Sequence, residues 1–265
     1  MICLGMLFLL CGLAAATEDI NDLLSTYNQH SVFDVPLLTN KELNQLRAGQ
    51  LVKRIDGGKS EQDPLRGVAY KIAEHSRDSL WIACQDEHLV TESSAQYLMV
   101  EELKPDHLNW YGFIDLPWPV DDRHWVTSSW NNHHLSKATN DQMWEHPWRL
   151  KTEWKHYRSK IDRSCTDNAL KGISSEMIDK AIYLPSSQGA WGMINLPSGT
   201  LILYHATATV GGYIPTDLML SFLMRGLDDM FAGLERNAAT KAHTHYDSKH
   251  LPIYGGDGIL IPPAQ

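Results

Sequence analysis

The order of elements along this 265-residue chain predicts an α+β fold, a curved antiparallel β-sheet wrapped around a long C-terminal α-helix with an apolar cavity between them. Three observations carry that expectation. Four strand-like segments, "QYLMVEEL", "LNWYGFIDLP", "RHWVTSSWNNH" and "DQMWEHPWRLKTEW", follow one another with no helix-length pattern between them, which means an antiparallel meander. One short helix interrupts the strands early, and the longest amphipathic helix comes last. A sheet must bury a face against something, and that last helix supplies the partner.

The first sixteen residues, "MICLGMLFLLCGLAAA", are uncharged and end in small side chains, which reads as a secretory leader cut after Ala16. A secreted or periplasmic location is therefore expected. Residues 17–48 form a helical preface. Ile20, Leu23, Leu24 and Tyr27 recur at helical spacing, and "NKELNQLRAG" offers Asn40 as an N-cap and Gly49 as a stop. "LVKRID" and "GVAYKIAEHS" then make a strand pair around Gly57 and Gly58, and Val68, Tyr70 and Ile72 alternate in its second member. "RDSLWIACQDEHL" places Leu80, Trp81, Cys84 and Leu89 near one helical face, with Ser76 as its cap.

Beyond the meander, residues 158–172 are charged and turn-like, and "KAIYLPSSQGAWGMINLP" and "GTLILYHATATVGG" are two further strands joined at "PSG". The final helix, residues 214–236, carries Pro215 in its first turn and an apolar stripe of Leu220, Leu223, Leu227, Met230, Phe231 and Leu234. The segment 240–265 has no periodicity and reads as a loop or an arm lying on the domain of residues 49–239.

A composition of 43% hydrophobic and 21% charged residues supports a sizeable core. The net charge of −9 and the lack of a basic run exclude a nucleic-acid partner. Without the leader two cysteines remain, Cys84 and Cys165. They are either one disulfide or two thiols, since sequence does not show whether their Cα atoms approach. "HTH" at His243 and His245, His250 beyond it, and "NNHH" at His133 and His134 invite a metal reading. None has the carboxylate or cysteine partners of a zinc pattern. No phosphate loop, dinucleotide fingerprint or nucleophile elbow is present, so no cofactor and no metal is expected.

"DLPWPVDDRHWV" admits two readings. In one, Asp122 and His124 act as acid and base with Arg123 holding an anion. In the other, which takes precedence, the prolines end one strand, Asp121 and Asp122 cap the turn into the next, and Arg123 forks onto a carboxylate to lock the corner.

This stretch also carries a resemblance. "DLPWPVDDRHWV", "TLILYHATATVGGYIPTDLMLSFL" and "VAYKIAEHSRDSLWIACQDEH" together resemble the START (StAR-related lipid transfer) domain family, of the SRPBCC, or helix-grip, superfamily. Trp118 lies inside the proline pair, and Trp81 and Asp86 stand where the superfamily often has a Trp and an Asp. The likeness runs from about Gln50 to Ala239. Val210 departs from the family's Asp-Pro before the Gly-Gly turn, and His124 stands where a second Asp is common.

The resemblance implies a helix-grip fold that binds, and can transfer, a lipid or sterol-like molecule, with transient membrane contact and no fixed catalytic set. Cavity-lining candidates are Trp110, Phe113, Arg123, Trp125, Trp130, Trp148, Trp191, Tyr204, Leu220, Leu223 and Leu227. The same superfamily hosts cyclase, aromatase and hydrolase activities. In that alternative Asp122, Arg123, His124, Tyr204 and His205 are the polar groups that would act.

Overall fold

The computed structural model describes residues 19–56, 64–85, 95–212, 216–240 and 251–262, and of residues 216–223 the backbone alone. The leader, Gly57 and Gly58, Asp86, Leu89, Pro215 and the tail histidines His243, His245 and His250 lie outside the described residues.

Nine strands form one sheet: β1 (Val52–Asp56), β2 (Leu65–Ala73), β3 (Ala95–Lys104), β4 (His107–Ile114), β5 (Arg123–Trp130), β6 (Met143–Leu150), β7 (Ile182–Tyr183), β8 (Ser186–Leu196) and β9 (Gly199–Thr209). Their order is β1-β2-β9-β8-β6-β5-β4-β3, antiparallel throughout, with the two-residue β7 added to β5 in parallel. Among the described residues seven α-helices accompany them: α1 (Ile20–His30), α2 (Asn40–Arg47), α3 (Arg77–Gln85), α4 (His133–Ala138), α5 (Arg158–Thr166), α6 (Ser175–Lys180) and α7 (Thr216–Thr240). The expected architecture is therefore present, a curved, unclosed antiparallel sheet with a long helix at its C-terminal end.

Strand alternation divides the side chains between two faces. The inner face meets α3 and α7. Ala69 and Ala73 of β2, Trp144 of β6, Met193 of β8 and Ile202 of β9 pack with Leu80, Trp81, Leu227, Phe231 and Leu234. The outer face is closed twice. At the β1-β2-β9-β8-β6 end, α1 and α2 lay Leu23, Leu24, Tyr27, Leu43 and Leu46 onto Val52, Val68, Tyr70, Ile194 and Leu203. At the β3-β4-β5 end, α5 and α6 bring Ile161 and Ile178 onto Val100, Tyr111, Phe113 and Val126.

Local chemistry explains these elements. Asp19 caps α1 by accepting from the Asn21 amide at 2.9 Å. Helix α2 starts one residue earlier than Asn40 suggested: Thr39 is the N-cap, and its reciprocal bonds with Glu42 make a capping box. Arg54 of β1 grips the same Glu42, Nε to Oε1 at 2.6 Å, and holds that carboxyl at a pKa of about 2. Gly49 ends the helix at φ +74°, where a side chain would be strained.

Three expectations need correction. Residues 158–172 are not simply a turn, because Arg158–Thr166 is helix α5, built on one apolar contact line through Ile161. The strand assigned to "RHWVTSSWNNH" stops at Trp130, since Asn132 caps α4 by accepting from the Leu135 amide at 3.2 Å. Cys84 and Cys165 are free thiols. Cys84 packs with the inner cluster and Cys165 with the outer one, so the sheet stands between them.

Candidate functional site

The inner face beyond the α7 contact is paved with aromatic rings. Register places Trp110 opposite Thr127, Gly112 opposite Trp125, Trp148 opposite Ser129, and Trp191 opposite Tyr204, all on this face. Trp191 leans on Tyr204 with ring centroids 4.9 Å apart and on Phe231 of α7 at 5.5 Å. Trp148 lies 5.7 Å from Tyr204, and Tyr97 of β3 lies 5.8 Å from Trp125.

None of Trp110, Trp125, Trp148, Trp191 and Tyr204 is fully buried, whereas Tyr111, Phe113 and Val126 on the outer face of the same region are sealed. Tyr97 retains 37% exposure, yet desolvation pushes its hydroxyl pKa up to about 12.

Two glycines set the posture of the indoles. A Cβ on Gly112 would lie 2.2 Å from Cε2 of Trp125 and 2.5 Å from both Cζ2 and Nε1. A point beyond the ring's edge would come nearer to one of those neighbours than to Cε2, so the ring face covers the glycine. At Gly189 a Cβ would meet the His205 carbonyl oxygen at 2.1 Å and the rim of Trp148, Cζ2 at 2.5 Å and Cη2 at 2.8 Å, so backbone and indole together exclude a side chain there. The Trp125 indole thus lies along the sheet and turns a face to the interior.

The cationic side chains of the inner-face strands are already engaged among the described residues. Lys53 reaches Asp228 of α7 at 2.6 Å and Lys71 reaches Glu235 at 2.5 Å. His146 bonds Asn131 through Nδ1 at 2.8 Å, and burial holds its pKa near 4, so it is neutral at pH 7. Arg123, 3% exposed, points at the β9–α7 junction, where Nε donates to the Val210 carbonyl and Nη2 to that of Gly211, each at 2.7 Å. Its Nη1 serves the Asp121 and Asp122 carbonyls. The corner lock is real, but it fastens backbone oxygens and not the carboxylate that was expected. A bend that leaves several carbonyls pointing one way suits the guanidinium fork better than a single carboxylate does.

Other predicted residues separate. Phe113 and Trp130 face outward, Phe113 in the cluster under α5 and α6 and Trp130 beside His107 at 5.9 Å. The reason is parity: each sits an odd number of residues from an inward neighbour, Trp110 and Trp125 respectively. Leu227 belongs to the α7 contact, and Leu220 and Leu223 lie where only the backbone is described.

The acid–base set does not assemble either. Asp122 accepts from the Leu116 amide at 3.0 Å as a turn cap, with its carboxyl pKa raised by burial. His124 is walled by Trp154 at 4.6 Å and Tyr183 at 5.0 Å on the outer face, and desolvation, aided by Arg158, lowers its pKa to about 4. His205 is also outward, with Nε2 3.2 Å from Nε of Arg66. His133 lies between Asp106 and the Gly256 carbonyl, and the described residues hold no cluster of three metal-ligating groups.

Sequence reading missed Tyr97, Gly112, Thr127, Gly189 and His146 of the same face, and it did not say which face the expected arm borders. Residues 251–262 lie over α3 and β6. Trp81 Nε1 donates to the Tyr254 carbonyl at 2.9 Å, Ile253 and Ile261 are buried in the inner cluster, and Gly255 and Gly256 sit against the Trp144 ring. Leu251, Pro252 and Ile253 enclose a small cavity of about 20 Å³ with Gln85, Pro105, Leu108 and Trp110.

No protein-family model matches the chain, and no curated protein matches it. Solved structures do. A STAR-related lipid transfer protein fragment from Xanthomonas axonopodis aligns with a TM-score of 0.53 at 12% identity, over 72% of this chain and 94% of that one. Human STARD10 aligns at 0.53 and 10% identity, over 83% and 87%. Human StAR-related lipid transfer protein 5 aligns at 0.50 and 12% identity, over 75% and 92%. At such identities the likeness concerns the fold, and the chain has the START-like, helix-grip fold.

Proposed function

We propose that the protein binds a hydrophobic small molecule of lipid type on the concave inner face, between the aromatic floor and α7, and passes it between membranes or partners. The observation that carries this reading is the aromatic inner face, left partly accessible on a molecule whose outer face is covered by four helices. Small-molecule sites favour concave apolar surfaces with few polar groups. Two of the three solved relatives are named for lipid transfer, which supports the reading by analogy of fold.

A route to a membrane is part of the proposal. The Leu116–Val120 loop holds Trp118 at 92% exposure beside a cleft of about 210 Å³, adjacent to the junction that Arg123 fastens. An exposed indole between prolines suits a membrane–water interface, where amphipathic rings collect. The leader-like first sixteen residues support action in an exported compartment.

Native mass spectrometry of protein purified from that compartment, followed by solvent extraction, tests the binding reading. A stoichiometric apolar passenger supports it; an empty protein that takes up no fluorescent lipid from vesicles overturns it. Trp118→Ala is expected to leave stability unchanged and to slow lipid pick-up from vesicles several-fold, read by fluorescence transfer between donor and acceptor vesicles.

A further inference from the structure

We infer that the ligand of this chamber is an uncharged molecule with a flat ring system, rather than a lipid held by an anionic or zwitterionic headgroup; this rests on the binding reading above.

The first ground is the posture of the rings. Trp125 lies over Gly112, and the short approach distances leave no room for a side chain beneath its indole, while Trp148 packs its rim against Gly189. A cross-strand residue larger than glycine would lift the ring off the sheet and turn its edge inward. The pairing therefore presents extended π surface, with Tyr97 and Tyr204 as neighbouring walls. Flat rings gain from offset stacking on such surfaces beyond what area burial supplies, whereas a flexible acyl chain gains only the area.

The second ground is charge. A phosphate or carboxylate inside a low-dielectric chamber needs a cation to offset its desolvation. Among the described residues of the inner face, Lys53 and Lys71 are held by Asp228 and Glu235 of α7, and the guanidinium of Arg123 is taken up by backbone carbonyls. His146 bonds Asn131. Polar matching for a ligand falls instead to neutral groups such as Thr127 and the Tyr97 and Tyr204 hydroxyls, which fit a hydroxyl or carbonyl substituent.

The test uses the whole mature chain and three probes: pyrene, oleate, and phosphatidylcholine bearing a fluorescent acyl chain. Quenching of tryptophan emission and probe fluorescence report binding. Pyrene is expected to bind in a 1:1 complex and to compete with any other ligand, with oleate and phosphatidylcholine at least tenfold weaker. Trp125→Leu and Trp148→Leu keep apolar volume but remove the π face. Each is expected to weaken pyrene by a factor of about five, while residual binding of the acyl probes stays unchanged. Circular dichroism and the unfolding midpoint verify that the variants fold. Tight binding of phosphatidylcholine or oleate that pyrene does not displace overturns this inference while leaving a hydrophobic-binding function in place. Failure of all three probes to bind overturns both.

Discussion

Within the turn and strand start "PVDDRHW", neighbouring side chains have unrelated tasks. Arg123 closes a bend, Asp122 caps it, and His124 serves as a packed ring on the far side of the sheet. A neutral, buried imidazole has a consequence for stability. Its folded pKa of about 4 lies below the ordinary 6.5. The unfolded chain therefore takes up the proton first as the pH falls. The stabilisation is fully present above about pH 6.5 and is lost progressively toward pH 4, on the order of 3 kcal/mol for a shift of this size. Urea midpoints at pH 7 and pH 4.5 should show the native protein losing stability across that window, and His124→Gln should lose clearly less. An equal loss in the variant would place the pH sensitivity elsewhere, His146 being next in line.

At the scale of elements, α1 and α2 cover the outer face and are part of the same core as the sheet. Leu24 is fully buried between them and the strands. Leu24→Ala should cost about 3 kcal/mol, measured by chemical denaturation. A change below about 1 kcal/mol would mean that the preface is loosely docked. The buried Glu145 carboxylate of β6 adds to this docking by accepting from the Val32 amide at 2.8 Å and the Asn132 side chain at 2.6 Å.

Much of this layer was legible in the sequence. Ile20, Leu23, Leu24 and Tyr27 announced α1 by spacing, and alternation announced the meander. Helices α4 and α6 are six residues each, and α5 is mostly polar, so no apolar period betrayed them. For the site, parity was available and unused: counting along β4 and β5 separates Trp110 from Phe113 and Trp125 from Trp130. The glycine–indole pairs were not available, because they depend on which strand lies beside which and in what register.

For the whole molecule, the inner face is closed by contributions from distant parts of the chain: α3, α7 and the arm of residues 251–262. Ending the chain at Thr240 should leave the Trp81 indole N–H and the Asn131 amide without the Tyr254 carbonyl they share. It should also uncover the Trp144 ring. Unpaired buried donors cost about 1–3 kcal/mol each, so the truncated protein should unfold at lower denaturant and bind a hydrophobic dye such as ANS. An unchanged midpoint with no dye binding would show that the arm rests on an already finished core.

That arm also dictates an order of events. The Trp81–Tyr254 bond spans 173 positions, so helix α3 finds this partner only in a segment made much later. Closing so long a loop is slow compared with pairing adjacent strands. The hairpins and their covering helices can assemble while the chain is still growing. The Trp81 and Trp144 rings stay uncovered on that side until residues 251–262 arrive, and in that interval the nascent protein displays a sticky surface to chaperones and to its own neighbours.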